Sequence, residues 1–465
     1  MWSGLEQGTV LRSEMSATPY VTQELLGEGG QGQVWKVSPA RGAPDEHFAL
    51  KWYFPHAATD EQHQALTRLV DGGAPDGRFL WPLELVQCDS APGFGYLMEL
   101  RQPEFRGMVE VMHRRIDPTF RALATAGFQL ADAFLQLHSR GLCYLDISFG
   151  NVFVQPEDGR ILICDNDNVR VDGRPAAIAG TPKFMAPELI RDLIARRTPT
   201  PSRRTDLFSL AVLLFYMFVM HHPFEGRREA EIALLDADAQ NELYGTHPVF
   251  IFSPDDESNR PQAEYHQNAL DFWPIYPQYL RDLFIQSFTA GVDDPKNGRV
   301  QESQWRRAMA DLRDGLLYCH NCGVENFLDP AALSGHIATT CWNCAVDLSS
   351  AAHLVFGSGA RGGRIVSLTG DTRLHPHHVG SLYDFSQPVA EVTRHPTDHT
   401  IWGLKNMSSR SWSVSRPGGG RWDVEPGRSV TIAPDTKIDF GPITARIRGD
   451  RIVAGEGRGT EGSLP

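Results

Sequence analysis

Gly27-Glu28-Gly29-Gly30-Gln31-Gly32-Gln33-Val34 fits the pattern G-x-G-x-x-G-x-V, and Ala49-Leu50-Lys51 follows at the distance of a neighbouring strand. Glycines at 27, 29 and 32 let backbone N–H groups approach phosphates with no Cβ in the way. The Lys51 ammonium then neutralises the α and β oxygens. A dinucleotide-binding turn carries similar glycines but opens a helix. Here Val34-Trp35-Lys36-Val37 is aromatic and β-branched and continues as a strand, so the pairing points to ATP. Further along, Tyr144-Leu145-Asp146-Ile147-Ser148-Phe149-Gly150-Asn151 sets a carboxylate and an amide five residues apart. Ile161-Leu162-Ile163-Cys164-Asp165 delivers a second carboxylate from the end of an apolar strand. Phosphoryl transfer asks for positioning, metal ions and one carboxylate to orient the attacking hydroxyl. Asp146 is expected to hold the acceptor hydroxyl, Asn151 and Asp165 to hold Mg²⁺ or Mn²⁺, and Lys51 to hold the phosphates.

A second chemistry is written in the cysteines. Cys319-x-x-Cys322 and Cys341-x-x-Cys344, separated by eighteen residues, have the spacing of two knuckles that bring four thiolates to the corners of a tetrahedron, the pattern of structural Zn²⁺. So short and weakly apolar a stretch needs the metal to fold. Two disulfides, or His320 and His336 as substitute ligands, are the alternatives. Four thiolates leave no open coordination position, which excludes catalysis by this zinc.

The elements that must position these groups follow from patterning. From Tyr20 to about Arg101 the chain is strand-rich, with Phe48–Tyr53 and Gly95–Leu100 as strands and one helix over 59–71. From residue 118 helices dominate. Thr119–Ser139 carries apolar residues at helical spacing and stops at Gly141. A β-rich lobe holding the phosphate turn, followed by a helical lobe, predicts a two-lobed α+β layout. Beyond the cysteines a glycine-rich hinge, Gly357–Gly363, leads into short alternating runs such as Ile401–Leu404 and Val430–Ile432, which predict an all-β sandwich. The net charge of −13, from 57 acidic against 44 basic side chains, argues against a nucleic-acid partner. The N-terminus lacks the order of a signal peptide. The longest apolar run, Leu207–Met220, falls short of the roughly 20 residues a bilayer needs and reads as a buried helix. A cytoplasmic protein without a membrane partner is expected, and a reducing setting suits the cysteines.

Downstream of Asp165, Gly180-Thr181-Pro182-Lys183-Phe184-Met185-Ala186-Pro187-Glu188 and Thr205-Asp206-Leu207-Phe208-Ser209 complete six separately spaced motifs in one order. Over about residues 20–318 the chain resembles the protein-kinase superfamily. The resemblance implies a bilobal protein-kinase fold over 18–318, with an N-lobe to about 101 and a C-lobe from about 102. It also implies protein substrates, a brace from Asp206 to the catalytic loop, and a pair between Glu188 and Arg299. The nucleotide site would consist of Gly27, Gly29, Gly32, Val34 and Lys51, with Met98 as gatekeeper and the backbone of Glu99 and Arg101 meeting adenine. The helix carboxylate that pairs with Lys51 is assigned to Glu61; a plain exposed acidic first turn, favoured by the helix dipole, is the alternative.

The departures carry as much meaning. H-R-D is replaced by Tyr144-Leu145-Asp146, so the arginine that would clamp a phosphorylated activation loop is missing, and residues 165–180 contain no hydroxyl side chain. Activity without activation-loop phosphorylation follows. D-F-G reads Asp165-Asn166-Asp167; Asp167 either adds charge near the metal or is a solvated carboxylate capping a turn. Ser148 stands where Ser/Thr kinases commonly have lysine, while Gly180-Thr181-Pro182 favours Ser/Thr acceptors.

Segments 403–408, 424–430 and 438–441 resemble the second half of forkhead-associated domains, which bind phosphothreonine peptides, without a clear Gly-Arg or Ser-x-x-His to grip phosphate. A phosphopeptide site, with Arg373, Arg394 or Arg410 as the replacement cation, and a docking sandwich are both open. The expected order is a leader over 1–17, the kinase domain over 18–318, a small zinc ribbon over 319–350, a linker over 351–363, a forkhead-associated-like sandwich over 364–456 and a tail over 457–465. With Tyr244–Pro254 and Asn259-Arg260-Pro261 between the helices, the whole is similar to bacterial Ser/Thr kinases of phosphorylation triads, some in tellurite-resistance and chemical-stress loci. That kinship implies a von Willebrand-factor-A-type protein and a metal-dependent Ser/Thr phosphatase as partners. A pseudokinase scaffold that binds nucleotide and docks partners is the alternative function.

Overall fold

The structure, a computed structural model, describes all residues except 1–3, 17, 42–44, 177–179, 332–338, 358–363 and 455–465. The chain divides into two compact units: Met1–Pro118 with Thr125–Asn268 and Phe284–Arg306, and Thr119–Ala124 with Ala269–Leu283 and Arg307–Pro465.

In the first unit six strands close a barrel: β1 (Val10–Ser13), β2 (Pro19–Glu28), β3 (Gly32–Pro39), β4 (Phe48–Tyr53), β5 (Glu84–Gln87) and β6 (Phe94–Glu99), in the order β1-β2-β3-β4-β6-β5. Alternation drives it. Trp35 and Val37 of β3 face Leu50 and Trp52 of β4 across one apolar cluster, while the intervening Lys36 turns outward. Helix α1 (Asp60–Gly72) starts where Thr59 Oγ1 accepts the Gln62 N–H at 3.2 Å, stops at Gly73 with φ +64°, and buries Ala65, Leu66 and Leu69.

The expected loose leader is corrected. β1 pairs with both β2 and β5 and so closes the barrel, Leu11 is fully buried, and the Leu5 N–H donates to Gln33 Oε1 at 2.9 Å. Four residues of alternation are too few to stand out in the sequence, and the barrel's pairing supplies the rest.

The helical part holds α2 (Met108–Met112), α3 (Phe120–Ser139), α4 (Pro187–Ile194) and α5 (Arg203–Val219). In α5 Thr205–Phe208 and Leu210–Val219 are all buried, as expected for this run. Short strands, the first before α2 and the rest between α3 and α4, frame the chemistry. β7 (Arg106–Gly107), β9 (Val152–Val154) and β10 (Ile161–Ile163) form one sheet, and β8 (Leu142–Tyr144) pairs with β11 (Val169–Val171). Loop 145–151 and segment 164–168 are thereby fixed at both ends.

The second unit carries the hairpin of β12 (Leu316–Tyr318) and β13 (Glu325–Phe327) and then ten strands: β14 (His353–Phe356), β15 (Arg364–Ser367), β16 (Arg373–Leu374), β17 (Ala390–Arg394), β18 (Trp402–Asn406), β19 (Trp412–Ser415), β20 (Arg421–Val424), β21 (Ser429–Thr431), β22 (Lys437–Asp439) and β23 (Thr444–Arg448). They form a six-stranded sheet, β15-β14-β23-β22-β19-β20, and a four-stranded one, β16-β17-β18-β21. Both contribute to one apolar cluster that includes Leu354, Leu404, Trp412, Val430 and Ile447. The linker expected over 351–363 is corrected in its first half, because β14 is an interior strand paired with β15 and β23. Residues 358–363 of the hinge and the tail from 457 lie outside the described residues. Among the described residues no helix is long and apolar enough to cross a membrane.

Candidate active site

Register places the lysine. Lys51 of β4 stands opposite Val34 of β3 and Tyr96 of β6, directly beneath the glycine turn. The glycines divide into two kinds. A Cβ at Gly32 would lie 2.0 Å from Trp52 O, so sheet packing itself requires glycine there. At Gly27, Gly29 and Gly30 a Cβ would meet nothing within 4 Å, so packing does not require glycine there and the space beside the turn is open. Beside the turn a cleft of about 170 Å³ is lined by Gln31, Tyr53, Gln62, Asp146, Asn168 and Arg170, among others.

Lys51 Nζ lies 2.5 Å from Asp165 Oδ1 and 2.8 Å from Asp167 Oδ2. Burial disfavours its charge, but Asp167 and then Asp165 raise its pKa above the ordinary lysine value. Asp167 is 1 % exposed and also accepts the Tyr53 hydroxyl. Burial works against its charge, yet Lys51 and the Tyr53 hydroxyl hold it below the usual carboxylate range. Asp165 is pushed up, by burial and then by the charge of Asp167. Two expectations are thereby corrected. Asp167 is not a solvated turn cap, being buried against Lys51 and the Tyr53 hydroxyl. Glu61 is exposed in the first turn of α1, and the carboxylates within ion-pair distance of Lys51, among the described residues, are those of Asp165 and Asp167. The residue of α1 turned toward the cluster is Gln62, whose Nε2 donates to Tyr53 Oη at 3.2 Å and whose Oε1 accepts from Arg170 Nη2 at 2.8 Å.

Asp146 is half-buried and held on both oxygens. Oδ1 accepts the Thr181 N–H and Oγ1–H, each at 3.1 Å, and Oδ2 accepts Asn151 Nδ2 at 3.2 Å, while the Asp146 carbonyl accepts the same amide at 2.8 Å. Asn151 spends its donor side on this loop, which leaves its carbonyl oxygen as a ligand atom. Its oxygen and the Asp165 carboxylate are hard donors of the kind Mg²⁺ takes. Below the loop, Asp206 Oδ2 accepts the Tyr144 N–H at 2.6 Å, and Arg299 Nη2 lies 2.7 Å from Glu188 Oε2, the two contacts that the resemblance implied. Asn166 is fully buried, with Nδ2 donating to Leu80 O at 2.8 Å and Ile163 O at 3.0 Å.

Met98 is buried in β6 opposite Ala49, Glu99 ends that strand, and Arg101 follows it with its guanidinium 4.4 Å from the Phe153 ring. Tyr53, Gln62, Arg170 and Thr181 are site residues that the sequence reading did not place in these roles. Only Thr181 had a local signal, in Gly180-Thr181-Pro182. The other three depend on pairing across three elements.

In the second unit the four cysteines come together, with Cys319 Sγ 3.6 Å from Cys344 Sγ and Cys322 Sγ 3.6 Å from Cys341 Sγ. Zn–S bonds of about 2.3 Å make tetrahedral edges of about 3.8 Å, whereas a disulfide needs about 2.05 Å. All four cysteines are free thiols, so the spacing fits zinc and overturns the disulfide alternative. Both knuckles turn alike: Gly323 N–H donates to Cys319 O and Ala345 N–H to Cys341 O, at φ +77° and +57°. His320 is exposed and outside the cluster, and His336 lies outside the described residues. A second group, Asp314 with His377 and His378, is built differently. Both Nδ1 atoms accept backbone N–H groups, from Tyr383 at 2.8 Å and His375 at 2.7 Å. His378 Nε2 then bonds Asp314 Oδ1 at 3.0 Å, whereas His377 Nε2 stands 3.7 Å from Asp314 Oδ2 with no hydrogen bond between them.

The protein kinase domain family matches residues 99–274, the stretch that holds Asp146, Asn151 and Asp165. Protein kinase C-like 1 of Saccharomyces cerevisiae is 28% identical over 182 residues, 38% of this chain and 13% of that protein. Protein kinase C delta type of Mus musculus is 35% identical over 100 residues, 21% of this chain and 14% of that protein. Serine/threonine-protein kinase PknL of Mycobacterium bovis is 27% identical over 325 residues, 64% of this chain and 75% of that protein. The similarity thus spans about an eighth of the length of the first two relatives and three quarters of the third. The chain carries a protein kinase domain of mixed α and β structure, homologous to Ser/Thr protein kinases, and a C-terminal β-rich region with a four-cysteine cluster consistent with zinc.

Proposed function

We propose that this protein is a Mg·ATP-dependent Ser/Thr protein kinase that acts without activation-loop phosphorylation. The observation that carries the reading is Asp146, fixed on both carboxylate oxygens by Asn151 and Thr181 and facing the cleft beside the glycine turn. A carboxylate held this way accepts the hydrogen of an incoming hydroxyl and aims its oxygen. Gly27, Gly29 and Gly32 with Val34 form the roof of the nucleotide site, Met98, Glu99 and Arg101 its adenine edge, and Lys51 its phosphate contact. Asn151 and Asp165 hold Mg²⁺ or Mn²⁺, which when bound neutralises phosphate charge. Thr181, hydrogen-bonded to Asp146, supports a hydroxyl-amino-acid acceptor.

Cys319, Cys322, Cys341 and Cys344 hold structural zinc. The ten-strand region is a forkhead-associated-like sandwich that docks partners, in a cytoplasmic phosphorylation triad with a von Willebrand-factor-A-type protein and a metal-dependent phosphatase. Radiolabel transfer from ATP to a generic protein acceptor, run on wild type, Asp146→Asn and Lys51→Met, tests the central reading. Each variant is expected to lose on the order of a thousandfold in kcat/KM. Equal incorporation by all three defeats it, and ATP-induced thermal stabilisation with no transfer favours the nucleotide-binding scaffold.

A further inference from the structure

Asp167 has no task in the scheme above, yet it is the most buried carboxylate of the cleft. Its two oxygens receive Lys51 Nζ at 3.0 and 2.8 Å, the Tyr53 hydroxyl bonds one of them, and the Tyr96 hydroxyl stands 3.4 Å from the other. A charge this deep persists only where it is paired and hydrogen-bonded, and Lys51 is its cation. Asp165 also touches Lys51, but its side chain is 33% exposed and is the carboxylate assigned to the metal. Once Asp165 serves a metal ion, Asp167 remains as the lysine's dedicated acid. Helix α1 offers Gln62 at this place, and a neutral amide, engaged with Tyr53 and Arg170, supplies no countercharge.

Resting on the phosphoryl-transfer reading of the cleft, we infer that Asp167 is the positioning residue that holds Lys51 toward the nucleotide, in place of a carboxylate from helix α1. The lysine is then set by the segment that follows Asp165, on the same short turn as the metal-binding carboxylate. Displacing α1 would leave the Lys51 contact standing, so control of activity by movement of that helix is built out of this cleft.

The test uses the full chain. Asp167→Asn keeps the shape and an acceptor for Tyr53 while removing the charge. It is expected to lower kcat/KM for ATP on the order of a hundredfold. A second readout needs no turnover: labelling of Lys51 by an amine-reactive adenosine analogue without Mg²⁺, followed by peptide mass spectrometry across pH. The alkaline rise in labelling is expected to move at least about one pH unit lower in Asp167→Asn, because a countercharge to the ammonium is gone. Adding Gln62→Glu to Asp167→Asn returns a carboxylate one hydroxyl away and is expected to recover about tenfold or more of the lost rate. Unchanged kcat/KM together with an unmoved labelling profile overturns the inference. Should Asp167→Asn not fold, a crystal structure of wild type with Mg²⁺ and a non-hydrolysable ATP analogue decides: Lys51 Nζ within hydrogen-bond reach of Asp167 supports it, and pairing with Glu61 overturns it. Wild type that transfers no phosphate overturns the kinase reading instead, while the labelling profile still judges Asp167.

Discussion

Two ionic clusters in the first unit use the same components in opposite ways. In the cleft one cation, Lys51, is divided between Asp165 and Asp167. Under loop 145–151 one imidazole, His138, is divided between Asp206, with Nε2 at 2.9 Å from Oδ2, and Glu302, bonded to Nδ1. Both ring nitrogens therefore donate, which requires the imidazolium. Arg203 closes the far side of Glu302 with two hydrogen bonds at 2.8 and 2.6 Å. The lower cluster is sealed, since the side chains of His138, Asp206 and Glu302 are at most 3% exposed. The upper one is open at Asp165, the carboxylate whose proton affinity is raised by burial and by its neighbour. A shared cation with one loose partner can change partners when a ligand arrives. A sealed one can only hold the loop.

The largest effect that would sharpen this contrast lies in Asp206. Asp206→Ala strips the acceptor from the Tyr144 N–H and from His138 together and leaves both buried. Breaking such a pair costs about 3–5 kcal/mol, read as a shift of the urea unfolding midpoint. A cost below about 1 kcal/mol would mean that the lower cluster is as loose as the upper.

The next effect is a pH limb. Burial pushes His138 down, but its hydrogen bonds to Asp206 and Glu302 carry its pKa up from 6.5 to about 9. A folded pKa above the unfolded one contributes stability that is complete below about 6.5 and disappears as pH rises through about 9. That limb is worth on the order of 3 kcal/mol. Thermal melts between pH 6 and 10 should show wild-type stability falling across this window, and His138→Gln should flatten the fall. A wild-type profile that is level from pH 6.5 to 9 breaks the comparison.

The lower cluster also marks what a sequence can show. Asp206 and the Glu188–Arg299 pair were legible because each sits in a contiguous motif, and the cysteine knuckles because four ligands at fixed spacing admit few geometries. Strands β3, β4 and β6 and helices α1, α3 and α5 were legible from apolar periodicity, to within a few residues. His138 and Glu302 were not legible, being 164 residues apart with nothing local to pair them. The same limit hid the partner of Lys51. Acidic residues at the start of a helix are expected from the dipole whether or not one reaches a lysine, so Asp60-Glu61 carried no positional information. What settled the matter was the side chain at 167 turning inward between β4 and α1, a choice made by the Tyr53 and Tyr96 hydroxyls across three elements.

That choice makes the smallest expected effect informative. Glu61 lies on the exposed first turn of α1, where a carboxylate gains from the unpaired N–H groups of the helix N-terminus. Glu61→Ala should therefore cost about 0.3–1 kcal/mol of stability, measurable by urea titration, and nothing in transfer beyond about twofold. In an arrangement where a helix carboxylate holds the lysine, the same substitution would lower kcat/KM by orders of magnitude with little change in stability. The two outcomes separate along different axes, stability in one case and turnover in the other. A large loss of transfer in Glu61→Ala would return the lysine to the helix and leave Asp167 as a buried charge of purely structural purpose, making the upper cluster as sealed as the lower.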